Sequence, residues 1–115
     1  MKFAFVLLIL TNVAFAACED YTRFGVPQKI CWKNELRAFV NEKCEKECQA
    51  TKFLKEKHPV PKLPLTGGKN PASAKCLYLG IKVVVLKDPR GGEQSFCEFS
   101  DGSLVDSNAV ERSTR

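Results

Sequence analysis

The sequence predicts an α+β fold, a small disulfide-stapled protein with a helical N-terminal part and an α-β-β-α hairpin module. Three observations carry that expectation. Apolar residues from Trp32 to Leu54 recur mostly at intervals of three and four, the spacing of one helix face. Residues 58–69, HPVPKLPLTGGK, hold three prolines and two glycines and read as an extended connector. After them a capped segment, a β-branched run, a turn and a second short run follow in the order helix, strand, strand, helix.

Residues 1–16, MKFAFVLLILTNVAFA, form the first element. Lys2 precedes an apolar run, and Ala14 and Ala16 are the small residues a signal peptidase reads, so this segment is a secretory signal peptide. The run is too short for a membrane span, which needs about 20 apolar residues. Cleavage after Ala16 leaves 115 − 16 = 99 residues. The sequence before Cys18 also loosely matches a lipoprotein signal, with Phe15 where leucine is usual. Lipidation of Cys18 would strand one of six thiols, so release is favoured over anchoring. The expected location is secreted or periplasmic, with lipid anchoring through Cys18 as the alternative and the only route to a membrane.

Residues 17–57 are the helical, cysteine-rich segment. Trp32, Leu36, Phe39, Val40, Cys44, Cys48 and Leu54 make its apolar stripe, and Pro59 stops it. Residues 58–69 are the linker. Residues 70–115 are the module. Asn70 is a good N-cap, Pro71 suits the first helical position, and Gly80 suits the left-handed residue past a helix end, which predicts a helix over 71–79. Ile81–Leu86 and Gln94–Phe99 read as strands of a hairpin around Asp88-Pro89-Arg90-Gly91-Gly92. Ser100–Ser103 turns again, and Asp106 or Ser107 caps a last half-helix through Arg112.

The formal charge is +5, or +4 once Lys2 is removed, with bases and acids interleaved throughout. Nucleic-acid binding wants Lys and Arg clustered on one face, so it is set aside. The lone histidine, His58, lies in the connector. No nucleophile–base motif, phosphate loop or calcium loop appears, so the chain is read as non-enzymatic and without cofactor. Leu63-Pro64-Leu65-Thr66-Gly67 spells a sortase signal but lacks the apolar segment that should follow it.

The six cysteines lie at 18, 31, 44, 48, 76 and 97. Their spacing fits neither a zinc site nor a redox C-x-x-C, which leaves structural disulfides. Cys76 and Cys97, on the short helix and the second strand, are the preferred pair, at roughly 3 kcal/mol. For Cys18, Cys31, Cys44 and Cys48 the pairing stays open. A helix from Trp32 puts Cys31 roughly 20 Å from Cys44, against about 7 Å for bonded Cα atoms. Bonds from Cys18 and Cys31 to Cys44 and Cys48 are favoured, with the helix starting late or the chain folding back along it; otherwise Cys31 pairs with Cys18, and Cys44 and Cys48 reach into residues 70–115. The loop Lys87, Asp88, Pro89, Arg90, Gly91, Gly92 is a candidate recognition loop.

Asn70-Pro71-Ala72-Ser73, Cys76, Gly91-Gly92, Cys97, Phe99 and Asp101-Gly102-Ser103 together resemble the small bacterial and archaeal domain-of-unknown-function family 333 over about residues 70–112. Its members are often labelled hemolysins. The chain departs from the family where Gly80-Ile81 replaces a glycine pair and Asn108 replaces a tryptophan before Ala109. The resemblance implies an envelope or extracellular location and the Cys76–Cys97 bond, and no established activity. The function expected is therefore a small exported binding protein of the cell envelope or extracellular space, its partner an unknown protein or envelope component. A peptidase inhibitor presenting Lys87–Gly92 is the alternative, and a membrane-perturbing hemolysin-like protein the second.

Overall fold

The computed structural model describes residues 17–44, 47–63 and 70–115. The proposed signal peptide, most of the sortase-like motif and the end of the linker lie outside the described residues. Six strands form one closed antiparallel barrel: β1 Cys18–Arg23, β2 Val26–Lys33, β3 Ala38–Asn41, β4 Lys82–Lys87, β5 Glu93–Glu98 and β6 Leu104–Asp106. Around the barrel they run β1-β2-β3-β6-β5-β4. Among the described residues three short helices accompany them: α1 Gln49–Leu54, α2 Pro71–Tyr78 and α3 Ser107–Ser113.

This corrects the predicted fold class. The N-terminal part is not the helix expected: Trp32, Phe39 and Val40 sit on β2 and β3, and among the described residues before Pro59 only Gln49–Leu54 is helix. The spacing misleads because a short-looped hairpin also brings residues seven apart together. Trp32 and Phe39 are register partners across β2 and β3, with ring centroids 4.8 Å apart. Nor is the N-terminal part a separate module, because Val40 of β3 pairs with Val105 of β6 and Thr22 of β1 with Lys87 of β4. The C-terminal order gains a strand, β6, which runs directly into α3.

Alternation along the strands sorts side chains to two faces. Tyr21, Ile30, Val84, Leu86, Phe96 and Leu104, with Phe39 beside them, come from all six strands and fill the barrel interior. A barrel this small is closed by its side chains. The residues between them point outward: Ala38, Val40, Cys97 and Val105 meet Ala50 of α1, Cys76 of α2, and Ala109 and Val110 of α3 in a second core.

The C-terminal elements follow local chemistry. Asn70 Oδ1 accepts from the Ala72 and Ser73 amides, and Pro71 takes the first turn of α2. Gly80, at φ 79°, ends the helix while Ile81 N–H returns to the Cys76 carbonyl, the six-to-one bond of a Schellman stop. Asp106 is the N-cap of α3, accepting from the Ala109 amide, and its other oxygen accepts from the Phe39 amide of β3. Residues 58–63 have no regular structure but lie along the end of α3, with His58 N–H donating to the Ser113 carbonyl.

Three disulfides are present: Cys18–Cys31, Cys44–Cys48 and Cys76–Cys97. The bonds favoured from Cys18 and Cys31 to Cys44 and Cys48 are not formed. Cys18 and Cys31 are direct partners in the β1–β2 register, so the nearest thiol to Cys31 lies on its own hairpin. Cys44 and Cys48 close the short connection into α1, where Cys48 is the N-cap.

Candidate functional site at the barrel mouth

Hydrogen-bonded register places Arg23, Glu98 and Lys82 together at one end of the barrel. Tyr21 points inward on β1, so Arg23 two residues on does too, and Glu98 follows Phe96 on β5 in the same way. Arg23 grips Glu98 with both guanidinium nitrogens, at 3.0 and 3.3 Å. Lys82 Nζ stands 3.8 Å from the same carboxylate. The Arg23 and Glu98 side chains keep only 23% and 21% of their exposure. The Arg23 hydrogen bond, against a smaller opposing effect of burial, holds the Glu98 carboxyl below its ordinary range.

This pair lies in the wall of an open polar cavity of about 600 Å³. Asp20 and Lys29, Asn41, Glu42 and Lys43, and the turn Asp101–Ser103 complete it. Its wall is internally braced. Asn41 accepts from the Leu104 amide and donates to the Gly102 carbonyl, at 3.0 and 3.1 Å. Asp101 accepts from the Gln49 amide with one oxygen and from the Ser103 amide and hydroxyl with the other. Burial pushes the Asp101 carboxyl up, but these donors outweigh it and leave it below the usual value. Both charge signs line the cavity on a framework fixed before any ligand arrives, which suits a polar partner with separated charges.

The predicted recognition loop lies at the opposite end. Lys87 ends β4, and Asp88, Pro89, Arg90, Gly91 and Gly92 turn the chain into β5. Asp88 Oδ1 accepts from the Arg90 and Gly92 amides, both at 2.9 Å, and Gln94 Nε2 donates to Oδ2 at 3.3 Å. The Gly92 amide first, opposed by desolvation and then helped by the Arg90 amide, lowers the Asp88 pKa. Arg90 is exposed on this locked turn. Of the predicted cysteines, none lies at the loop, and Cys48 alone borders the mouth. His58 stacks on Phe53, ring centroids 3.6 Å apart, with Nε2 2.8 Å from the Phe53 carbonyl.

Sequence reading missed Arg23, Glu98, Asn41 and Lys82. Their signal was strand alternation around Tyr21 and Phe96, which is legible only once both segments are known to line one barrel. Among the described residues, no three His, Cys, Asp or Glu side chains gather as a metal site.

Residues 67–113 match the family model of the Domain of unknown function (DUF333), the family that the motifs of this segment resemble. The match takes in α2, β4, β5, β6 and α3, while β1, β2, β3 and α1 precede it. The matched segment therefore supplies three of the six barrel strands. No curated protein and no solved structure matches the chain.

Proposed function

We propose, taking the DUF333 domain at residues 67–113 as premise, that this is a small exported, non-enzymatic binding protein of the cell envelope or extracellular space, and that its partner docks at the barrel mouth. The observation that carries this reading is the braced mixed-charge cavity around Arg23 and Glu98. A rigid polar concavity lowers the ordering cost of binding. Export is supported by three disulfides, which persist in oxidising compartments. Release rather than lipid anchoring is supported by Cys18, whose sulfur is bonded to Cys31.

The test places a photo-crosslinking residue at Lys43, beside the mouth, and separately at Glu93, at the far end of β5. Illumination of cells exporting each variant should give a covalent adduct from position 43 and none from 93. Equal adducts from both positions, or none from 43, would overturn the proposal.

One observation favours the inhibitor reading: Arg90 is exposed on a turn whose backbone Asp88 holds rigid. Against it, a protease engages an extended segment, and the Arg90 amide is already spent within the turn. Titration of trypsin-like proteases with wild type and Arg90→Ala decides this reading. Inhibition that Arg90→Ala abolishes supports it, and no inhibition by wild type ends it.

A further inference from the structure

Phe24 sits where its own chemistry disfavours it. It is the first central residue of the β1–β2 turn, at φ 53°. A bulky aromatic adopts that left-handed conformation at a cost, whereas asparagine or glycine adopts it readily. Phe24 is 97% exposed, so no packing offsets the cost. Among the described residues one other non-glycine residue, Arg37, has a positive φ, and there the Arg112 guanidinium holds its carbonyl. A strained position carrying a side chain that the fold does not use points to a use outside the fold.

The turn stands at the barrel mouth. Arg23, just before Phe24, and Pro27 and Gln28, just after the turn, line the polar cavity. Arg23 and Val26 are the register pair that closes the turn, and Val26 is 56% exposed. Carrying the Thr22–Lys87 register onward brings Val85 of β4, 53% exposed, level with Phe24. The β1–β2 ladder and the Cys18–Cys31 bond hold the hairpin, so its apolar tip is presented rigidly beside the cavity.

We infer, resting on the reading that a partner docks at the mouth, that Phe24 is the apolar anchor of that docking and that the partner is a protein. Its surface offers an apolar pocket for the ring, next to groups of both charge signs for the cavity wall. A small polar solute would fill the cavity and leave the ring in water. A bilayer would accept the ring, but it would also press four carboxylates against its headgroups, with three cations, Arg23, Lys29 and Lys43, beside them. Arg23 and Lys29 already face Glu98 and Asp20. Attraction to an anionic membrane needs an excess of basic groups, which this rim lacks. Protein interfaces combine the two features seen here, an aromatic anchor that fills a pocket and a polar surround. A rigid hairpin lowers the ordering cost of placing that anchor.

The test uses Phe24→Asn, which suits the turn, in the exported chain carrying the photo-crosslinking residue at Lys43. With Phe24 present, position 43 should give an adduct with one protein. The crosslinker moved to Val26 should join the same protein, identified by mass spectrometry, at an apolar segment. Phe24→Asn should cut the adduct at position 43 by about tenfold or more, with an unchanged near-UV circular dichroism spectrum. Phe24→Trp should retain it. Phe24→Gly, which also accepts the left-handed turn, serves if the asparagine variant does not fold. An adduct at position 43 that these variants leave undiminished overturns the inference and leaves docking at the mouth standing. No adduct from position 43 with Phe24 present overturns both. Different proteins joined from positions 26 and 43 also overturn the inference. So does wild type, but not Phe24→Asn, sedimenting with vesicles of phosphatidylethanolamine and phosphatidylglycerol, since the ring then enters lipid.

Discussion

Gln49 and Asp101, 52 residues apart, exchange hydrogen bonds: the Gln49 amide donates to Asp101 Oδ2 at 2.8 Å, and the Asp101 amide donates to Gln49 Oε1 at 2.9 Å. The Ser103 hydroxyl adds a bond from the Ala50 amide at 3.1 Å. The Asp-Gly-Ser turn of the segment that matches the DUF333 model thus caps the first turn of α1, a helix outside that segment. Helix amides left without such acceptors are costly.

Asp101→Ala should therefore lower stability by about 1 kcal/mol, the usual cost of a lost cap. Urea unfolding would measure the loss. Amide exchange should accelerate at Gln49 and leave the barrel strands unchanged.

Arg23→Ala should cost about 2 kcal/mol, because it removes two charge-assisted bonds from a mostly buried carboxylate. Glu98→Ala in the same background should cost less than it does alone, since the two side chains act as a pair. A double-mutant cycle from urea midpoints checks this.

The same pair fixes a pH dependence. The folded pKa of Glu98 lies below its unfolded value, so its contribution is present above the unfolded pKa and is lost as pH falls through the folded one. Asp106 has the opposite sign. Burial, only partly offset by the Phe39 and Ala109 amides, raises its pKa, so its ionisation opposes folding and that cost is relieved as pH falls. Stability measured from neutral pH down through the carboxylate range should fall less steeply in Arg23→Ala than in wild type and more steeply in Asp106→Asn.

Paired cysteine-to-alanine variants should rank by loop length. In the chain-entropy account, Cys76/Cys97, at 21 residues' separation, costs about 3 kcal/mol, Cys18/Cys31, at 13, slightly less, and Cys44/Cys48, at 4, about 2 kcal/mol. Thermal unfolding of the three double variants gives the ranking.

Phe24→Asn should stabilise the protein. Phe24 and Gly25 are the two central residues of the β1–β2 turn, at φ 53° and 80°, and the Phe24 ring is 97% exposed. Asparagine adopts that left-handed conformation far more readily, and no packing is lost. A gain of about 0.5–1 kcal/mol, read as a higher midpoint in urea, is expected.

Local chemistry by itself determined the C-terminal elements. Asn70-Pro71 and Gly80 mark the ends of α2 within a residue, the run from Lys82 to Leu86 has no helical reading, and Asp88 with Gly91 and Gly92 makes its own turn. Those signals are short-range, because each cap or turn is satisfied by amides a few residues away. Only the tertiary structure decided that β1–β3 are strands, that all six close one barrel, and that Arg23 meets Glu98 75 residues on. A seven-residue spacing such as Trp32 to Phe39 is two helical turns or one cross-strand pair. What selects between them is the partner strand, β1 on one side and β6 on the other, whose hydrogen bonds and inward side chains no local pattern contains.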